Sequence, residues 1–202
     1  TTLISQSPVS ISFDSWDRVW LSAFQAEEAN LGLYPNGGIY YLNYNGMPYS
    51  PIDFSWNIIQ YSGTVWSLAM GRRDRLYYLT PTGLNYFDLK NGDNPIINEN
   101  SNAYFPNISF GKESGIKVDN NGNIWTYSPS QGIHVLLENT TYWPDINGFR
   151  EHNSPLLSDE ITDIEFDYQR KLAYIATNKG INILRIPYGD SITDYDNIKI
   201  GK

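Results

Sequence analysis

Twenty-two acidic side chains, two histidines and no cysteine set the chemistry open to this chain. Paired carboxylates, one protonated and one ionised, could cleave a glycosidic bond if they stood a few ångströms apart. The candidates are Glu27-Glu28, Asp145, Glu151, Asp159-Glu160 and Asp163, although their order along the chain does not fix that separation. His134 falls in an apolar run that reads as a strand, where a packed side chain is the simple expectation. His152 lies in Arg150-Glu151-His152-Asn153, a polar stretch that reads as a solvated loop. Two histidines without paired spacing make no catalytic zinc site. Without cysteine there is no thiolate ligand, no sulfur nucleophile and no disulfide framework. No G-x-S-x-G, phosphate loop or dinucleotide fingerprint occurs, so nothing asks for a cofactor.

Two further stretches carry a chemical suggestion. Asp119-Asn120-Asn121-Gly122-Asn123 offers oxygens at alternate positions, as a calcium loop does. Its glycine comes fourth rather than sixth and no bidentate Glu follows, so a hairpin turn is the better reading. A sialidase-type Asp box would place Asp where Asn120 stands, which argues against an enzyme. Arg72-Arg73 with Arg75, split by Asp74, reads as a solvated turn. The stronger binding candidates are aromatic rings outside the repeated pattern described next: Tyr34, Tyr49, Trp56, Tyr142 and Trp143. Such rings stack on sugar faces or anchor protein interfaces, and they can equally fill gaps between sheets.

The elements that would hold these residues repeat four times. Ile161–Asp167, Leu172–Thr177 and Ile181–Ile186 are β-branched and aromatic runs broken by polar or glycine-bearing turns, an antiparallel meander. Val9–Asp14, Val19–Phe24 and Ile39–Asn43 make an earlier copy; Thr64–Met70, Leu76–Thr80 and Leu84–Asp88 a second; Gly115–Asp119, Ile124–Ser128 and Ile133–Leu137 a third. An aromatic marks each middle strand (Trp20, Tyr77, Trp125, Tyr174), at intervals of 57, 48 and 49 residues. A glycine precedes each third strand (Gly38, Gly83, Gly132, Gly180), at intervals of 45, 49 and 48. First strands close on Asp14, Asp119 and Asp167, with Met70 as the exception.

A period near 48 with three clear strands and a looser fourth describes a β-propeller blade, whose known types run about 40–50 residues. The predicted fold is all-β, about four antiparallel four-stranded blades at residues 8–62, 63–111, 112–158 and 159–202, favouring an arc of a larger propeller. Fourth strands are expected at Trp56–Tyr61, Tyr104–Phe110 and Thr140–Trp143, beside Pro51, Pro106 and Pro144 as suits an edge. Leu3–Ser7 or Ile198–Ile200 could complete the last blade. Gln25–Asn36 and Lys90–Asn102 interrupt the period and read as loops, where propeller recognition usually resides.

A net charge of −8 opposes nucleic acid and anionic membrane as partners. No apolar run reaches the roughly 18 residues of a membrane span. Thr1–Ser5 lacks the charged start and apolar segment of a signal peptide, and there is no initiator Met, which suits a mature product or a fragment.

The phrase Asn153-Ser154-Pro155-Leu156-Leu157-Ser158-Asp159-Glu160-Ile161, followed by Ala173-Tyr174-Ile175-Ala176-Thr177-Asn178-Lys179-Gly180-Ile181, resembles the two-component-regulator propeller repeat. Asp119, Gly122 and Trp125 match that repeat's Asp-x-x-Gly-x-x-Trp element; Asp14 and Trp20 keep part of it, and Thr80, Gly83 and Leu84 another part. The close from Tyr188 to Ile200 is similar to the linker of PorZ-like exported propellers associated with type IX secretion. The resemblance implies a non-enzymatic binding or scaffolding module outside the cytoplasm (periplasmic, cell-surface or secreted), contacting a protein partner or a surface glycan, with the remaining blades of a larger propeller as neighbours. It implies, as alternatives, a sensor propeller that binds oligosaccharide or a polysaccharide-acting propeller enzyme.

Overall fold

A computed structural model describes residues 7–24, 37–42, 57–59 and 63–187. The described chain is all β apart from one turn of 3-10 helix at Arg72–Asp74. It forms four antiparallel sheets, divided between two compact units, Thr1–Asn107 and Ile108–Lys202.

In the first unit, the first sheet runs β1 (Ser7–Phe13), β2 (Val19–Phe24), β3 (Gly38–Leu42), β4 (Asn57–Ile59). The second runs β5 (Ser67–Met70), β6 (Arg75–Thr80), β7 (Gly83–Leu89), β8 (Ile96–Glu99). In the second unit, the third sheet is β9 (Gly115–Val118), β10 (Ile124–Ser128), β11 (Gly132–Leu136), β12 (Tyr142–Trp143). The fourth is β13 (Ile161–Asp167), β14 (Leu172–Thr177), β15 (Gly180–Arg185). Each sheet is a meander in sequence order, and these short local connections are what the repeated turn residues specify.

The register explains the landmarks. Gly38, Gly83, Gly132 and Gly180 pair with Ala23, Thr80, Ser128 and Thr177. All four have positive φ, between 68° and 140°, a region that side chains with a Cβ disfavour. Trp20, Tyr77, Trp125 and Tyr174 each stand three residues before the glycine's partner, so the four aromatics occupy one structural position.

The turn between first and second strands corrects one expectation. Backbone N–H groups of Asp14, Gly71 and Asp119 donate to the carbonyls of Arg18, Arg75 and Asn123 at 3.2, 2.8 and 3.0 Å. The residue standing in the aspartate's place in the second copy is therefore Gly71 and not Met70. A Cβ on Gly71 would lie 2.6 Å from Cε2 of Tyr77, so the ring fills the space that the carboxylate takes elsewhere. In the fourth sheet the turn is one residue longer, because Asp167 pairs with Leu172, five residues on, where Asp14 and Asp119 reach Arg18 and Asn123, four residues on.

The fourth strand of the second sheet also differs from the expected Tyr104–Phe110. Ile96–Glu99, inside the presumed loop Lys90–Asn102, pairs with β7. Tyr104 makes a single bridge with Leu84, through bonds of 2.9 and 2.8 Å, and Phe105 is fully buried. Phe149 and Ile133 repeat that bridge in the second unit. The chain here returns to the third strand as a buried plug, which takes aromatic residues as readily as a strand does. Trp56–Tyr61 and Thr140–Trp143 shorten to Asn57–Ile59 and Tyr142–Trp143. Pro51, Leu3–Ile4, Gln25–Asn36 and Ile198–Ile200 lie outside the described residues.

Each unit has its own core, formed where its two sheets pack face to face. Trp20, Ile39 and Tyr41 of the first sheet meet Leu68, Leu76, Tyr78 and Phe87 of the second. Trp125, Val135 and Trp143 of the third meet Ile164, Ala173, Ile175 and Leu184 of the fourth. At about 1.5–3 kcal/mol per large apolar side chain removed from water, these contacts supply most of the driving force for pairing the sheets.

Candidate functional site

Two carboxylates that could have done acid–base work are fully engaged in holding turns. Asp14 Oδ1 accepts the N–H groups of Trp16 (2.9 Å) and Arg18 (3.0 Å). Its Oδ2 accepts Arg18 Nε at 2.6 Å and the Trp20 indole at 2.8 Å. Asp119 repeats the arrangement: Oδ1 takes the N–H groups of Asn121 (2.8 Å) and Asn123 (3.0 Å), and Oδ2 takes Asn123 Nδ2 (2.9 Å) and the Trp125 indole (3.0 Å). Four donors on one buried carboxylate satisfy it without a metal and leave no free lone pair for catalysis. Asp167 keeps the turn contact, to Arg170 N at 3.0 Å and Nη1 at 2.6 Å, and the ring at the Trp20 position, Tyr174, comes seven residues on and carries no indole N–H.

Arg18 is the residue that motif reading overlooked. Its Nη2 donates to the Lys90 carbonyl at 2.8 Å and its Nη1 to that of Gly92 at 3.3 Å. The guanidinium lies 4.9 Å from the Trp16 ring and 5.6 Å from that of Trp20. Tyr41 adds a bond to the Asp93 carbonyl at 3.0 Å. The loop following Leu89 is thus fastened to the first sheet. The available signal was the shared spacing of Asp14 and Arg18 with Asp119 and Asn123.

The other acidic candidates separate into three environments. Glu151, Asp159 and Glu160 come together on one polar loop surface of the second unit. Asp159 Oδ1 accepts Glu151 N at 2.7 Å, Lys179 Nζ reaches Glu151 at 2.7 Å, and Asn178 Nδ2 reaches Glu160 at 2.7 Å. Arg150 lies 3.9 Å from Asp159 and donates to Gln131. Asp163 turns elsewhere, to Lys117 at 3.0 Å and Tyr127 Oη at 3.4 Å. Asp145 Oδ1 accepts Asn147 N at 2.6 Å and shapes its own turn. Glu27 and Glu28 lie outside the described residues. Among those described, no three His, Cys, Asp or Glu side chains are grouped to hold a metal ion.

His134 is buried beneath the same loops, with the Phe110 ring edge-on at 6.5 Å. Burial, aided by the positive charge of Arg150, lowers its pKa to about 4, so the ring is neutral at physiological pH. His152 is exposed, as a loop residue should be. Arg72 and Arg73 are exposed at the 3-10 turn. Arg75 is part of β6, where it pairs with Asp88 at 2.7 Å and lies 4.0 Å over the Tyr86 ring.

Of the aromatic candidates, Tyr142 is half-buried on the short edge strand β12. Trp143 is 9% exposed, edge-on to Trp125 at 5.6 Å and to Phe149 at 4.9 Å. It belongs to the core of the second unit, from which it can support Tyr142 but not stack on a sugar itself. Tyr34, Tyr49 and Trp56 lie outside the described residues. No helix among the described residues is long and apolar enough to cross a membrane.

No protein-family profile and no curated protein matches the chain. Its fold is similar to that of solved β-propellers. One is PorZ, a surface component of the type IX secretion system of Porphyromonas gingivalis: TM-score 0.61, 18% identity, 87% of this chain and 25% of that one. Another is XC5397 of Xanthomonas campestris, a gluconolactonase: TM-score 0.58, 15% identity, 92% of this chain and 61% of that one. A third is the extracellular domain of BT3049 from B. thetaiotaomicron, described as a hybrid two component system: TM-score 0.52, 18% identity, 90% of this chain and 22% of that one. The chain thus spans from about a fifth to three fifths of these proteins, and the likeness establishes the propeller fold.

Proposed function

We propose that this chain is an exported propeller module that binds rather than catalyses, associated with type IX secretion and contacting a protein partner or a surface glycan. The observation that carries the reading is the fate of the carboxylates. Asp14 and Asp119 are each saturated by four donors inside a turn, and Glu151, Asp159 and Glu160 are each engaged with a neighbouring loop group. A general acid needs a carboxyl whose proton is free to move to substrate, and these are held as structural acceptors. What they stabilise is a set of rigid sheets carrying polar loops, the form in which propellers present recognition surfaces. Likeness to PorZ supports the secretion-associated version. Likeness to the extracellular domain of BT3049 supports the runner-up, a periplasmic sensor that binds oligosaccharide.

The contacts proposed are Tyr34, Tyr49, Trp56 and Tyr142, with Trp143 backing the last of these. Affinity capture from the cell envelope, run beside a glycan array, tests the reading. Retention of a defined envelope protein or glycan, lost on Tyr142→Ala or Trp56→Ala, is the expected result. Turnover of a lactone or polysaccharide with no such retention would reject it in favour of an enzyme.

A further inference from the structure

Three Asn-Gly pairs fall among the described residues: Asn91-Gly92, Asn121-Gly122 and Asn147-Gly148. In such a pair the glycine nitrogen can attack the asparagine side-chain amide, because no Cβ obstructs the approach. The fold treats the three differently. The Gly122 N–H donates to the Asp119 carbonyl at 2.9 Å, and the Gly148 N–H to that of Asp145 at 3.2 Å. Both glycines are buried. Each nitrogen is thus committed to a turn and shielded from water.

Asn91-Gly92 is arranged for reaction. Both residues are exposed, in the loop that the Lys90 N–H closes on the Pro95 carbonyl at 2.8 Å. The Gly92 N–H donates to Asn91 Oδ1 itself at 2.9 Å, so the nitrogen already lies against the amide that it would attack. Gly92 has a φ of 101°, with open space where a Cβ would stand. The loop is also fastened on both sides of Asn91. Arg18 Nη2 holds the Lys90 carbonyl at 2.8 Å and Nη1 that of Gly92 at 3.3 Å. Tyr41 holds the Asp93 carbonyl at 3.0 Å.

We propose that Asn91-Gly92 is a self-modification site that deamidates through a succinimide, and that the isoaspartyl link so formed releases the loop from Arg18. Hydroxide takes the Gly92 N–H proton, and the nitrogen's electron pair forms a bond to Asn91 Cγ. The Cγ–Nδ2 bond breaks, and Nδ2 leaves as ammonia with a proton from water, which regenerates hydroxide. Water then opens the ring at either carbonyl, giving aspartate or isoaspartate at position 91. Isoaspartate routes the main chain through the former side chain and adds a methylene between the two carbonyls that Arg18 grips. The Gly92 carbonyl, held at the longer 3.3 Å, is the one that Arg18 loses. The chemistry belongs to this loop alone and is independent of what the chain binds.

The test ages the folded chain in mildly alkaline buffer and follows each pair by peptide mapping with mass spectrometry, beside the same chain unfolded in urea. In the folded chain Asn91 is expected to convert about fivefold or more faster than Asn121 and Asn147, whose glycines must first break a turn bond. In urea the three rates should converge. Equal rates in the folded chain would overturn the proposal. So would a lead of Asn91 that persists unchanged in urea, since it would owe nothing to the fold. Hydrogen exchange over residues 90–99 reads the consequence. The isoaspartyl form should exchange faster than the parent, and Asn91→Asp, which adds the charge without the methylene, should not. Exchange alike in parent and isoaspartyl form, or equally fast in Asn91→Asp, would overturn the release from Arg18.

Discussion

Oδ2 of Asp119 accepts the indole N–H of Trp125 at 3.0 Å, and the same bond joins Asp14 to Trp20 at 2.8 Å, both pairs six residues apart. The ring is a core residue and the carboxylate a turn residue, so one bond fixes the tip of a hairpin relative to the packing of its sheet. Removing either partner strands the other in a dry environment.

Asp119→Ala should therefore destabilise the second unit by about 2–4 kcal/mol, from a charge-accepted indole bond and two turn bonds. Asp119→Asn, which retains acceptor oxygen, should lose less. Denaturant titration monitored at tryptophan emission reads both. Equal losses would mean that a neutral acceptor oxygen holds nothing here and that the charge carries the whole effect.

Trp125→Ala should cost about 3–5 kcal/mol, since the ring is fully buried against Trp143 and Phe166. A change near zero in the same titration would place the ring on the wrong face of its strand.

Asp14 and Arg18 form an ion pair whose side chains are 0% and 1% exposed. Asp14→Ala leaves a buried guanidinium without its counter-charge and should cost about 3–5 kcal/mol. Arg18→Met in the same background should recover part of that loss. A double-mutant cycle without coupling would contradict the paired role.

Gly71→Ala forces a Cβ to 2.6 Å from Tyr77 and should cost about 1–3 kcal/mol. Replacing both residues, Gly71→Asp with Tyr77→Trp, should restore in the second sheet the bond seen twice elsewhere. Thermal denaturation of the double variant above either single one is the expected order.

His134 supplies a pH dependence. In the unfolded chain its imidazole takes a proton near pH 6.5, in the folded chain near 4. The folded state binds fewer protons between these values, so stability is constant above pH 6.5 with respect to this group and falls as the pH drops towards 4. The loss over that window is about 3 kcal/mol. His134→Phe should flatten this part of a stability-versus-pH curve measured by urea titration. An unchanged slope would remove His134 as its source.

Much of the scaffold was legible because the repeat states it four times. β13 and β14 fall where the alternating runs place them, and the glycines and aromatics share one register. Two misreadings have physical causes. Ile96–Glu99 is only four residues long in an asparagine-rich stretch, and its Ile97 is 62% exposed, so it carries little of a strand's apolar signal. Tyr104 and Phe105 carry that signal strongly but are buried as a plug. The candidate site was harder to read. Trp143 and Tyr142 are adjacent in sequence, and only side-chain direction on β12 separates a core ring from a half-exposed one. The role of Arg18 depends on carbonyls more than seventy residues away, a distance at which no local pattern speaks.

The hydroxyls of Ser10 and Ser12 occupy the outward N–H groups of Leu68 and Met70 on β5, the first strand of its sheet. A bare strand margin is a template on which stray chains nucleate cross-β growth. Here the margin is sealed by two oxygen atoms from a neighbouring sheet. Ser10→Ala with Ser12→Ala would reopen it, and the first consequence would be fibril formation rather than lost folding.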